Sequence, residues 1–145
     1  MGALVFGHDA TCLEWLQQRW DVGRRPQIVP GIVNESGVLH GAVPLWQENV
    51  WTWELGVYSE GVISPRVVRD VFAFVFVELA ADRLQMKTQR SNKTMRKLAP
   101  KMGWTFECVA KSYYGRGDDA LCFAMTPATC RWIKRHEIAQ SAERE

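Results

Sequence analysis

The sequence lacks the marks of several large classes of protein. Its four cysteines, Cys12, Cys108, Cys122 and Cys130, form no C-x-x-C pair and have no histidine at metal-ligand spacing. No metal site is expected, and the thiols read as reduced side chains in a cytoplasmic protein. No basic segment followed by a long apolar run stands near the N-terminus, so no secretory signal is expected. The most apolar stretch, Val71 to Ala81, is too short to cross a bilayer and carries Glu78, which argues against a membrane partner. Excess charge is also lacking: a net charge of +2 gives no general attraction to nucleic acid. No paired aromatic and glycine motif accompanies the basic residues, so RNA is not expected either. Repeats, low-complexity tracts and interdomain linkers are absent.

What remains is a chain of 145 residues, 47% apolar, long enough for one proper core. It is expected to form a single domain over residues 1–140, with 141–145 as a frayed tail. Seven tryptophans are many for this length and suit a core, a hydrophobic groove or a partner surface equally. The most informative stretch is RLQMKTQRSNKTMRKLAPKMGW, Arg83 to Trp104. Leu84, Met86 and Thr88 alternate with Gln85, Lys87 and Gln89, the period of a strand with one buried face. Asn92 can cap a helix by accepting from a free first-turn amide. Met95, Leu98, Ala99 and Met102 then form one apolar helical stripe, and Gly103 supplies a left-handed stop.

Elsewhere the local signals are as direct. Asp9 is expected to cap a helix running to Trp20. Gln27 to Val33 and Val38 to Trp46 read as a strand pair joined through Asn34-Glu35-Ser36-Gly37, with Pro30 and Pro44 weakening the reading. Val50 to Tyr58 alternates as a further strand. Ser64-Pro65 marks a helix start, serine as cap and proline in the first turn, so the valine-rich segment after it reads as a buried helix. Strand, helix, strand from Val50 to Gln89 make one crossover and therefore a parallel pair. Trp104 to Tyr114 and Ala120 to Thr126 read as two more strands, and Ala128 to Ile138 as a closing helix.

A strand ending at Asn92, a helix of fixed length, then Gly103 and Trp104 resemble the second half of the GNAT N-acetyltransferase fold. The flanks, FVELAADRLQMKTQRSN and GWTFECVAKSYYGRGDDALCFAM, are similar to GNAT-like proteins encoded by bacterial viruses. The resemblance covers roughly Glu54 to Met125. It implies an α/β (α+β) fold with a mixed, mostly antiparallel central sheet, one parallel strand pair and helices on both faces. It also implies acetyl-coenzyme A as co-substrate, its pantetheine arm between two splayed strands and its pyrophosphate at the start of the helix after Ser64. The residues placed there are Val57, Tyr58, Ser59, Gly61, Val62, Ser64, Arg66 and Arg69 on one side, and Arg90, Asn92 and Lys93 on the other.

Two departures stand out. The usual Q/R-x-x-G-x-G/A loop is replaced by Gly61 followed by Val62-Ile63-Ser64-Pro65-Arg66, so the glycine-rich cradle is missing. The tyrosine that the family commonly uses as an acid falls at Ala99. The resemblance points to Glu54 as the base, with Tyr113 or Tyr114 from the next strand, or water, in place of the missing acid; His40 is a weaker candidate for the base. Glu54 is expected among tryptophans with a raised pKa, or else as a solvent-facing or ion-paired strand residue. Between Arg83 and Lys101 there are seven basic residues and no acid. They read either as a solvated face or, for Arg90 and Lys93 beside the turn, as attraction for a phosphate. The partners implied are an acyl-coenzyme A and an amine acceptor, with a homodimer left open. The rival reading is a non-catalytic or weakly catalytic GNAT-fold phage protein that binds and modulates a host enzyme.

Overall fold

The computed structural model describes residues 2–134. In chain order the elements are β1 (Ala3–Val5), α1 (Asp9–Gln17), β2 (Gly31–Val33), β3 (Leu39–Ala42), β4 (Leu45–Gln47), β5 (Thr52–Leu55), β6 (Tyr58–Ser59), α2 (Pro65–Ala73), β7 (Arg83–Gln89), α3 (Lys93–Met102), β8 (Thr105–Gly115) and β9 (Asp118–Met125). They build two sheets, in the orders β1-β2-β3-β6 and β4-β5-β7-β9-β8. Every pairing is antiparallel except β5 with β7, which run parallel through Thr52↔Arg83, Trp53↔Leu84 and Glu54↔Gln85.

The helix signals in the sequence are realised atom by atom. Ser64 caps α2, its hydroxyl accepting from the Val67 amide at 3.3 Å, and Pro65 is the first helical residue. Asn92 caps α3 through the Met95 amide at 3.1 Å, and Gly103 ends it at φ 100°. Trp104 folds back so that its amide reaches the Ala99 carbonyl and its ring meets Phe72 edge-on, centroids 5.9 Å apart. Beyond Ala73, α2 runs on into a π-helical turn, Phe74–Glu78, whose Val75 and Phe76 are fully buried. With Val67, Leu84, Leu45 and Met125 they make the main core beneath the second sheet. A smaller core holds α1 against the first sheet through Cys12, Leu13, Leu16, Val29 and Ala42.

Four expectations need correction. Helix α1 stops at Gln17 rather than Trp20, and Asp9 is not its cap. The Asp9 carboxylate instead accepts from the Val29 amide at 2.8 Å, fastening the helix to the approach of β2. The segments Val38 to Trp46 and Val50 to Tyr58 are each two strands in different sheets, not one. Pro44 has no N–H to continue the ladder, so the first breaks there, between β3 and β4. The second breaks after Gly56, whose amide makes a last bond in the β4–β5 register, to the Pro44 carbonyl at 3.0 Å. A Cβ added at that corner would lie 2.8 Å from the far edge of the Trp20 ring, so a larger residue there has to displace that side chain. Finally, residues 127–134 form a turn and irregular chain, with the Thr129 and Cys130 amides on the Thr126 carbonyl. The rest of the expected closing helix, and the tail 141–145, lie outside the described residues.

Candidate functional site

The site begins where β5 and β7 part. Their pairing ends at Glu54↔Gln85, yet β7 continues to Gln89. After Leu55 the chain turns away and pairs with β3 in the other sheet, Tyr58 opposite Ala42 and Ser59 opposite Gly41. Two parallel strands thus diverge at their carboxyl ends, the position where open α/β sheets take ligands. Beneath the opening lies a slot of about 280 Å³ between α2 and α3, with Leu55, Val57 and Met86 at its strand side.

At the mouth of the slot the expected phosphate-binding residues separate into two groups. The amides of Val62, Ile63 and Arg66 have no protein partner among the described residues and surround the start of α2, where the helix dipole favours an anion. Arg66 is exposed in that first turn, and Val62 is 94% exposed. Lys93 is exposed at the start of α3. The others are committed elsewhere. The Gly61 amide donates to the Ser59 hydroxyl at 3.2 Å, and that hydroxyl donates to the Gly61 carbonyl at 2.8 Å. The Tyr58 ring meets Trp15 on the α1 side, so only its backbone can face the slot. Arg69 lies 3.8 Å from Asp70, and Arg90 lies 3.5 Å from Asp119. The Asn92 side-chain oxygen is spent on capping α3.

On the opposite face of the sheet is a second, polar cavity of about 670 Å³, and Leu55 lines both. The structure brings Glu54, Tyr113 and Tyr114 together here, with Lys87, Trp46 and Asp118. Glu54 is not an isolated carboxylate among tryptophans. Its Oε1 accepts from Gln85 Nε2 at 3.0 Å and from the Lys87 ammonium, and the residue lines the cavity. Of its strand neighbours, Trp53 is buried in the core and Trp51 is 63% exposed. Burial works to lower the Lys87 pKa, but the hydrogen bond and charge of Glu54, followed by Tyr113 and Cys122, outweigh it and raise it. The ammonium also stands 5.3 Å above the Tyr113 ring. Tyr113 and Tyr114 meet edge-on at 5.0 Å. Withdrawal from water, then the charges of Tyr113 and Glu54, push the Tyr114 phenol up to about 12. The residue as a whole is 43% exposed, so solvent softens this shift, but its direction makes Tyr114 a poorer proton donor than an ordinary phenol.

Lys87 is the residue that sequence reasoning missed. It read as one of seven like charges, yet three of them are paired: Lys87 with Glu54, Arg90 with Asp119, and Arg83 with Glu107 at 2.8 and 2.5 Å. The alternation of β7 does put Lys87 on the face of Gln85; only the register with β5 shows that this is the Glu54 face. His40 lines neither cavity. It sits in β3 with its Nδ1 buried and without a hydrogen-bond partner among the described residues. Ala99 is fully buried, so no hydroxyl enters the site from α3.

No protein-family model matches the sequence, and no curated protein does. Solved structures do match in shape. A GCN5-related N-acetyltransferase from Brucella melitensis superposes with TM-score 0.64 at 20% identity, covering 92% of this chain and 63% of that one. A GNAT-family acetyltransferase from Bacillus anthracis gives 0.58 at 16% identity, over 68% of this chain and 65% of that one. A spermidine/spermine N-acetyltransferase from Vibrio cholerae gives 0.72 at 12% identity, over 86% and 92%. The fold is that of the GNAT N-acetyltransferases. At these identities the likeness is one of shape, and this chain spans about two thirds of the first two neighbours' length. The GNAT fold accounts for the mixed sheet, the single parallel pair and the placement of α1 on one face with α2 and α3 on the other.

Proposed function

We propose that this protein is an acyl-coenzyme A-dependent N-acetyltransferase that passes an acetyl group to an amine of a protein or small molecule. One observation carries the reading: an apolar slot and a polar, carboxylate-bearing cavity lie on opposite faces of one sheet and meet at Leu55, where the parallel strands divide. A thin thioester arm suits the slot, and the uncommitted amides at the start of α2, with Arg66 and Lys93, suit its pyrophosphate. The amine approaches from the polar side. Its ammonium gives a proton to Glu54, which lines the cavity while Lys87 and Gln85 hold Oε1 and fix the carboxylate. The freed nitrogen attacks the thioester carbonyl; the C–N bond forms, the C–S bond breaks, and the departing thiolate takes a proton from Tyr113 or from water.

Calorimetry with acetyl-coenzyme A tests this directly. Saturable binding is expected, strengthened by no amine but followed by turnover when an accepted amine is present. Absence of binding at millimolar ligand overturns the reading. The turn between β4 and β5 favours a second reading, because it exposes Val50 at 74% and Trp51 at 63%. Such an anchor suits a GNAT-fold protein that engages a host protein without turnover. In that case a single stoichiometric partner is retained when acetyl-coenzyme A is absent and lost on Trp51→Ser.

A further inference from the structure

The slot is more apolar than a pantetheine arm requires. All sixteen residues that line it are apolar, and the indole N–H of Trp132 is already given to the Met102 carbonyl at 2.8 Å. A pantetheine arm carries two amides, and no side chain here could bond them. The slot also extends past the strand opening. Helices α2 and α3 both run back from the carboxyl ends of the parallel strands, and they form its facing walls down to Phe72, Met102 and Trp104. From Met95 to Met102 that wall is about 10 Å long at the rise of an α-helix. Met86, Met95 and Met102 give it unbranched, adaptable side chains.

We infer that the lower half of this slot takes the aliphatic chain of the acyl donor, so that the preferred donor is a medium-chain acyl-coenzyme A rather than acetyl-coenzyme A. The inference rests on the acyltransferase reading and deepens it. The thioester carbonyl stays at Leu55, where the two cavities meet, and the chain turns down between the helices. The transfer is otherwise the same: C–N forms, C–S breaks, the amine proton goes to Glu54 and the thiolate is reprotonated. A wall of about 10 Å holds roughly eight methylenes, at about 1.2 Å per bond from the reach of an extended backbone. Each methylene fully removed from water strengthens binding about fourfold.

Trp104 and Trp132 line the slot and make their own reporter. Quenching of tryptophan fluorescence is titrated with acetyl-, butyryl-, octanoyl- and decanoyl-coenzyme A, and with free octanoate. Octanoyl-coenzyme A is expected to bind at least about tenfold tighter than acetyl-coenzyme A. Leu98→Asp, which sets a carboxylate at the rim where Leu98 is 43% exposed, is expected to bring that ratio toward one. Equal affinity across the series overturns the chain-binding inference while leaving the acyltransferase reading intact, as does a ratio untouched by Leu98→Asp. Quenching by octanoate with no binding of any coenzyme A ester supports the chain site and overturns the acyltransferase reading. No quenching by any ligand overturns both.

Discussion

The two faces of the β5–β7 pair are made from the same few residues and could hardly differ more. Leu55 and Met86 point to one side, with Leu84 in the core beside them, and with α2 and α3 they wall a slot without a polar side chain. Glu54, Gln85 and Lys87, the alternate residues, point to the other and form a hydrogen-bonded ionic cluster under two tyrosines. The two-residue period of a strand is enough to separate them. What makes the contrast useful is the break in pairing beyond Glu54, which lets the two environments touch. An aliphatic chain and an ammonium ion need opposite solvents, and a strand pair that opens at its end offers both on either side of Leu55.

The comparison can be broken from either face. The largest effect is expected on the polar side: Glu54→Gln keeps the shape but removes the proton acceptor. Turnover should fall about 10²- to 10⁴-fold with acetyl-coenzyme A affinity unchanged, as read from steady-state rates beside calorimetry. Next comes the wall itself. Leu55 is buried, and Leu55→Ala should cost about 2–4 kcal/mol in a denaturant melt and merge the cavities, raising hydrolysis of the thioester in the absence of amine.

Lys87→Met removes the partner of Glu54 and should cost about 1–2 kcal/mol near neutrality. The sign of its pH dependence follows from a pKa raised in the folded state. The contribution is fully present below the ordinary lysine value and disappears as pH rises through the folded one. Melting curves above about pH 10 should therefore fall more steeply for the native protein than for Lys87→Met. The smallest effect belongs to the mouth of the slot: Ser64→Ala removes the cap of α2, costs about 1 kcal/mol, and weakens acetyl-coenzyme A binding without changing the pH profile of turnover.

Much of the slot side was legible in the sequence because its signals are local. Ser64-Pro65, Asn92 and Gly103 start and stop helices by bonds within a few residues, and the β7 alternation shows in seven positions. The parallel pair followed from strand, helix, strand alone. What escaped depends on contacts distant in sequence. Pro44 and Gly56 redirect two strands into another sheet, and Gly56 sits against Trp20, far earlier in the chain. Asp9 looks like a cap until Val29 is beside it. Glu54 was singled out through the family resemblance, but its partner was hidden because no pattern within β7 reveals which residue of β5 it faces. The partners of the basic run are hidden for the same reason, since the acids that meet Lys87, Arg83 and Arg90 lie on β5, β8 and β9.

The central claim is that donor and acceptor reach Leu55 from opposite faces of the sheet, and a crystal structure with coenzyme A bound tests it most directly. The account predicts the sulfur between β5 and β7 beside Leu55, facing the Glu54 cavity, with the pyrophosphate against the Val62, Ile63 and Arg66 amides. Coenzyme A bound elsewhere, or a sulfur on the slot side closed off from Glu54, would contradict it.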